Sequence, residues 1–104
     1  MDTPERESEI KKEIKHYMDE NGNHYPYWYV GISEDPENRL FKDHGVKKNG
    51  QYAQWIYASA PDSETARRIE DYFVNSLATD GGTGGGDSKA KGVYAYRKYA
   101  HTTP

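Results

Sequence analysis

Apolar positions follow two rhythms along this chain, helical spacing at three places and strand-like runs at three others. Ile10, Ile14, Tyr17 and Met18 recur at helical spacing in a charged background. Thr3 as a cap, Pro4 in the first turn and Glu5, Glu7 and Glu9 near the positive end of the dipole predict a helix over about 4–18. Asn21-Gly22 stops it. The same segment admits a second pattern, in which His16-Tyr17-Met18 is a short strand paired through Asn21-Gly22 with the next run. That run, Tyr27-Trp28-Tyr29-Val30-Gly31-Ile32-Ser33, is aromatic and β-branched, and it predicts a central strand. Gly31 inside it marks close approach of a ligand or another backbone.

Asp35 caps and Pro36 opens a short helix that carries Arg39 and anchors through Leu40 and Phe41. Gly45 ends it, and residues 47–50 form a polar turn. Residues 51–59, with Tyr52, Trp55, Ile56 and Tyr57, predict a second strand. Pro61-Asp62-Ser63 turns the chain into a helix over about 63–78, with a stripe of Ala66, Ile69, Phe73 and Leu77. Glu70 lies on or beside that stripe, and a glutamate is rarely buried without a partner. A glycine-rich loop at 80–87 leads to an aromatic strand, Val93-Tyr94-Ala95-Tyr96, and the tail from about residue 100 is expected to fray. These elements predict a small α+β domain spanning 1–104. Its sheet is three- or four-stranded, mainly antiparallel and flanked by helices.

Composition narrows the classes. With 34% hydrophobic and 30% charged residues the core is small, and ten tyrosines supply much of its apolar area. The absence of cysteine excludes disulfides and thiolate metal sites and suits a reducing, cytoplasmic setting. No apolar run reaches membrane-spanning length, and the N-terminus is charged where a signal peptide is apolar. A net charge of −3 counts against strong non-specific nucleic-acid binding, although Arg39, Lys42, Lys47 and Lys48 form a local basic cluster, and Arg67-Arg68 another.

Tyr29-Val30-Gly31, Arg39 eight residues after the glycine and Glu70 on a later helix carry a known pattern. Residues 27 to 79 resemble the GIY-YIG nuclease superfamily. Tyr29-Val30-Gly31 stands for the second half of its name, and YVGISEDPENRL is similar to the stretch leading into the family's arginine helix. The first half-motif is not evident. Its nearest candidate is Lys15-His16-Tyr17, with the right spacing of eleven residues between Tyr17 and Tyr29. Where the family often has a histidine or tyrosine four residues after the arginine, this chain has Asp43, with His44 one further. The family's asparagine beyond the glutamate helix has no placed counterpart.

The resemblance implies hydrolysis of DNA phosphodiester bonds with Mg2+ or Mn2+. Glu70 is then the metal ligand, Arg39 the phosphate clamp, Tyr29 or Tyr17 the proton relay and His44 an auxiliary acid or base. Gly31, Lys42, Lys47 and Arg67 become substrate-contacting positions. A hard cation suits an oxygen ligand, lowers the pKa of bound water and neutralises phosphate charge, and a guanidinium fork fits two phosphate oxygens. Each residue also has a structural role open to it: Glu70 paired with Arg39 or Arg67, Tyr29 as a core aromatic, His44 at the negative end of a helix dipole. The glycine loop lacks the lysine-serine ending of a P-loop and reads either as a turned connection or as an anion cradle of backbone amides. Two other classes stay open beside the nuclease: a non-catalytic module binding nucleic acid or protein, and a small interaction protein whose contact site is the glycine loop.

Overall fold

The computed structural model describes residues 3–22, 24–81 and 89–104. The fold is α+β. Helix α1 (Thr3–Glu20) leads through a 3-10 turn (Tyr25–Tyr27) into β1 (Trp28–Ser33). A short α2 (Pro36–Asn38) runs into a π-turn (Arg39–Asp43), and β2 (Trp55–Ser59) follows. Helix α3 (Ser63–Asp71) ends in a second π-turn (Tyr72–Ser76), before β3 (Asp80–Gly81) and β4 (Gly92–Arg97). The strand order is β2-β4-β1-β3. β4 is antiparallel to both neighbours, and β3 lies parallel to β1.

Period-two alternation divides β1 and β4 between two unlike faces. Trp28, Val30, Ile32, Val93 and Ala95 face one way, onto Ile10, Ile14 and Met18 of α1 and Ala66, Ile69 and Phe73 of α3. This is the main core, and the helical stripes predicted from sequence are its helix side. Tyr29, Tyr94 and Tyr96 face the other way, onto Leu40 and Val46, with Phe41 and Trp55 at the margin. One face is therefore closed by helices. The other is covered by the α2 segment, Val46 and the C-terminal tail and carries three phenol hydroxyls.

Local chemistry sets the element ends. Asp35 accepts from the Asn38 N–H (3.2 Å) and Asp62 from the Thr65 N–H (2.7 Å), each capping its helix. Gly22 (φ +116°) ends α1 and Gly45 (φ +70°) ends the π-turn.

Of the two patterns open to His16-Tyr17-Met18 the helix forms, because burying Ile10, Ile14 and Met18 together uses the helical stripe. Three features differ from the sequence expectation. β2 begins only at Trp55, since residues 51–54 fold back in turns, with Ala53 N–H donating to Gly50 O. β3 is a two-residue strand at the start of the glycine stretch, too short to leave a pattern. The tail does not fray: Thr103 N–H donates to His44 O at 2.7 Å, and Thr102 is buried. Residues 82–87 of the glycine loop, with the cradle and contact-site readings placed on them, lie outside the described residues. Among the described residues no helix is long and apolar enough to cross a membrane.

Candidate functional site

The site grows from the pairing of β1 with β4. Their antiparallel register sets Gly31 directly opposite Tyr94, and Tyr29 opposite Tyr96. Directly opposed residues share a face, so the Tyr94 ring lies across the bare backbone of Gly31. A Cβ placed on Gly31 would stand 2.5 Å from Tyr94 Oη and 2.6 Å from Cζ. The close approach expected at Gly31 is thus made by a side chain of the neighbouring strand. Gly31→Ala is expected to cost about 1–3 kcal/mol by overpacking, read as a lower urea midpoint. The cost should largely disappear in a Tyr94→Ala background, because the clash is with that ring. An unchanged cost there would place the strain elsewhere.

The α2 segment brings the charged groups. Its π-turn is closed by His44 N–H donating to Arg39 O at 2.8 Å, an i to i+5 bond. A π-turn accommodates one residue more than an α-turn. His44, five residues after Arg39, therefore occupies the place relative to Arg39 that residue i+4 takes in an α-helix. Asp43 instead points outward and pairs with Arg39 at 3.4 Å, both side chains being about half exposed.

His44 is buried and bonded at both ring nitrogens. Nδ1 is 2.7 Å from the Thr103 carbonyl oxygen and Nε2 is 2.9 Å from Tyr94 Oη. A carbonyl oxygen only accepts, so Nδ1 carries the hydrogen. In the neutral ring Nε2 then accepts from the Tyr94 hydroxyl. Tyr96 Oη lies 3.1 Å from Nδ1 and shares that hydrogen. Burial lowers the pKa of His44 below its ordinary 6.5 and keeps the ring neutral near pH 7. His44 is thus a buried hydrogen-bonding hub, not an exposed helix-end residue.

Burial pushes Tyr94 up to about 12, against the pull of the Arg39 guanidinium beside its hydroxyl. Burial likewise raises Tyr29. Arg39 opposes that rise, and the charges of Asp80 and Glu70 add to it. Both phenols therefore sense the same arginine and the same glutamate. Arg39 thus acts on Tyr29, Tyr94 and His44, while Glu70, on α3, adds a smaller charge effect on the two phenols.

Glu70 is fully buried on α3, and neither carboxylate oxygen has a hydrogen-bond partner. Burial, with the charge of Asp71, raises its pKa to about 7, while Arg67 one turn earlier pulls it down. Two carboxylate oxygens without hydrogen-bond partners are ligands of the type a hard divalent cation takes. Among the described residues no group of three or more His, Cys, Asp or Glu side chains gathers for a metal. A cation at Glu70 would thus have few protein ligands and keep most of its waters, as Mg2+ does at substrate phosphates.

Of the other predicted positions, Tyr17 stands apart. It lies on α1 beside Trp28, and its hydroxyl accepts from the Trp55 N–H at 3.0 Å. Burial of a helix stripe, not strand pairing, sets its direction. Lys42 is exposed on the π-turn and Lys47 is exposed in the connection to β2. Sequence reasoning missed Tyr94 and Tyr96 as site residues. The alternating aromatic pattern at 93–96 was visible, but its pairing with β1 was not. No protein family, curated protein or solved structure matches the chain.

Proposed function

We propose that the tyrosine face is a phosphodiester-hydrolysing site of the GIY-YIG kind, acting on DNA with Mg2+ or Mn2+. One observation carries the reading: Tyr94 is seated over Gly31 and beside Tyr29, between Arg39 and His44. Gly92-Val93-Tyr94 resembles the half-motif that has no counterpart before Tyr29, here supplied by the last strand. It pairs antiparallel with the second half, Gly31 opposite Tyr94 and Ser33 opposite Gly92. Gly92 has a steric reason of its own, since a Cβ there would stand 2.2 Å from Pro36 Cγ. The π-turn bears on the other departure, because it sets His44 where the family's residue four after the arginine would fall.

The chain's own groups can be given roles. Arg39 holds the phosphate, its surface pairing with Asp43 being worth no more than about 1 kcal/mol and easily exchanged. A phenol with a pKa near 12 does not ionise at neutral pH, so Tyr94 cannot act as a free phenolate. It accepts a proton from the attacking water while passing its own to His44 Nε2, and the Thr103 carbonyl steadies the imidazolium through Nδ1–H. Tyr29 stacks at 6.3 Å on Tyr94 and 5.2 Å on Tyr96 and orders the pair. Glu70 holds the cation, which when bound supplies charge neutralisation and water activation. A non-catalytic module on the same fold is favoured by the complete burial of Glu70.

The test is DNA cleavage in Mg2+ or Mn2+ by the parent chain and by Arg39→Ala, an exposed position whose loss spares the fold. Removing one preorganised electrostatic group should slow cleavage by about 100-fold or more. Equal rates would remove Arg39 from the site.

A further inference from the structure

We infer that Trp55 and Tyr57 form a base-stacking platform that makes single-stranded DNA, rather than duplex, the preferred occupant of this face. The inference rests on the hydrolytic reading and extends it to substrate class. β2 is an edge strand. Its Trp55 stands opposite Tyr96 and its Tyr57 opposite Tyr94, so both rings lie on the tyrosine face, next to the phosphate clamp. Tyr57 is 38% exposed. The rings are 6.0 Å apart and nearly parallel, 14° between planes. A single strand offers free base π-faces that a duplex covers.

The surroundings favour a polyanion. Phe41 packs edge-on against Trp55 at 4.8 Å, and Lys48 Nζ lies 5.0 Å from the Phe41 ring. The Trp55 Nε1–H donates to the Lys48 carbonyl at 3.1 Å and fixes the indole plane. Arg39 and Lys42 project from the adjoining π-turn. Aromatic rings interleaved with these cations are the combination that single strands use: stacking for the bases, charge for the backbone. Of the carboxylates near this face, Asp43 is paired with Arg39 and Asp80 with Lys98.

Fluorescence titration with oligo-dT in EDTA tests the inference without cleavage. The chain has two tryptophans, and Trp28 is fully buried, so Trp55 is the reporter. Quenching by oligo-dT, absent with a duplex of equal length, is expected. Tyr57→Ala should weaken binding about tenfold, as loss of one stacked base does, and Tyr57→Phe should keep the parent affinity. Trp55→Phe should retain binding, read by anisotropy of a labelled oligomer, and lose the quenching. Tighter binding to duplex, tighter binding to oligo-rU, no binding by the parent chain, or parent affinity in Tyr57→Ala would each overturn it. Tyr57-dependent binding without cleavage in any metal would sink the hydrolytic reading alone. Cleavage with Tyr57→Ala binding like the parent would sink the platform alone.

Discussion

Glu70→Gln is expected to end metal-dependent cleavage while making the metal-free fold more resistant to urea at pH 8. The two effects share one cause. Glu70 is buried without a hydrogen-bond partner, and its pKa rises from 4.5 to about 7. The folded chain thus holds a proton that the unfolded chain releases. Stability is fully present below about pH 4.5 and is lost as pH rises through 7, by on the order of 3 kcal/mol. Glutamine carries no charge at any pH, so the variant should show no such loss. Its amide has unmet hydrogen bonds of its own, but their cost is the same at pH 5 and pH 8. The informative quantity is the difference in urea midpoint between parent and variant, which should grow from pH 5 to pH 8. Mg2+ or Mn2+ should raise the parent's midpoint at pH 8, by about 2.7 kcal/mol at a hundredfold excess over Kd, and leave the variant unmoved. A pH-independent difference, or equal response to metal, would mean that Glu70 is neither ionised nor a ligand.

Tyr94→Phe should lower cleavage by about 10²- to 10⁴-fold, the usual weight of a general acid–base group. The ring still covers Gly31, so the fold survives. What is lost is the hydroxyl at 2.9 Å from His44 Nε2, leaving a buried acceptor unmet at a cost of about 1–3 kcal/mol. The parent's rate should also fall on the acid side, because a protonated His44 cannot accept from Tyr94. Burial depresses the pKa of His44, so this limb lies below pH 6.5. The same depression means that the folded chain binds fewer protons than the unfolded one. The stability it contributes is complete above about pH 6.5 and is lost as pH falls. Removing residues 102–104 exposes the ring, which raises its pKa, and takes away the Thr103 carbonyl, which lowers it; burial being the larger cause, the acid limb should move to higher pH. A rate unchanged in Tyr94→Phe, or an acid limb indifferent to the tail, would leave the relay without support.

Much of the fold was legible because its signals are local. The stripe Ile10, Ile14, Met18 and the stripe Ala66, Ile69, Phe73 each bury as the helical period requires. Asp35-Pro36 and Asp62 start helices for reasons contained in a few residues. The tyrosine face was only half legible. Tyr29, Arg39 and Glu70 could be named from spacing along the chain. Tyr94 could not, since its place depends on β4 inserting between β2 and β1, a long-range pairing with no local signature. Asn21-Gly22, with Tyr17 at the right distance, suggested a hairpin partner that burial of α1 overrides. His44 was found one position late because nothing in its neighbours announces a π-turn. The tail was misread because its last ordered contacts are with His44, some sixty residues away in sequence.

Mn2+-induced broadening of tyrosine ring signals in the NMR spectrum tests most directly whether these side chains form one centre. A paramagnetic ion held at Glu70 should broaden the rings of Tyr29 and Tyr94 and the Arg39 Nε–H signal together, at concentrations that leave Tyr52 sharp, and the effect should vanish in Glu70→Gln. Broadening confined to exposed carboxylates such as Asp19 and Glu20, with Tyr29 and Tyr94 unaffected, would contradict a metal-dependent centre on the tyrosine face.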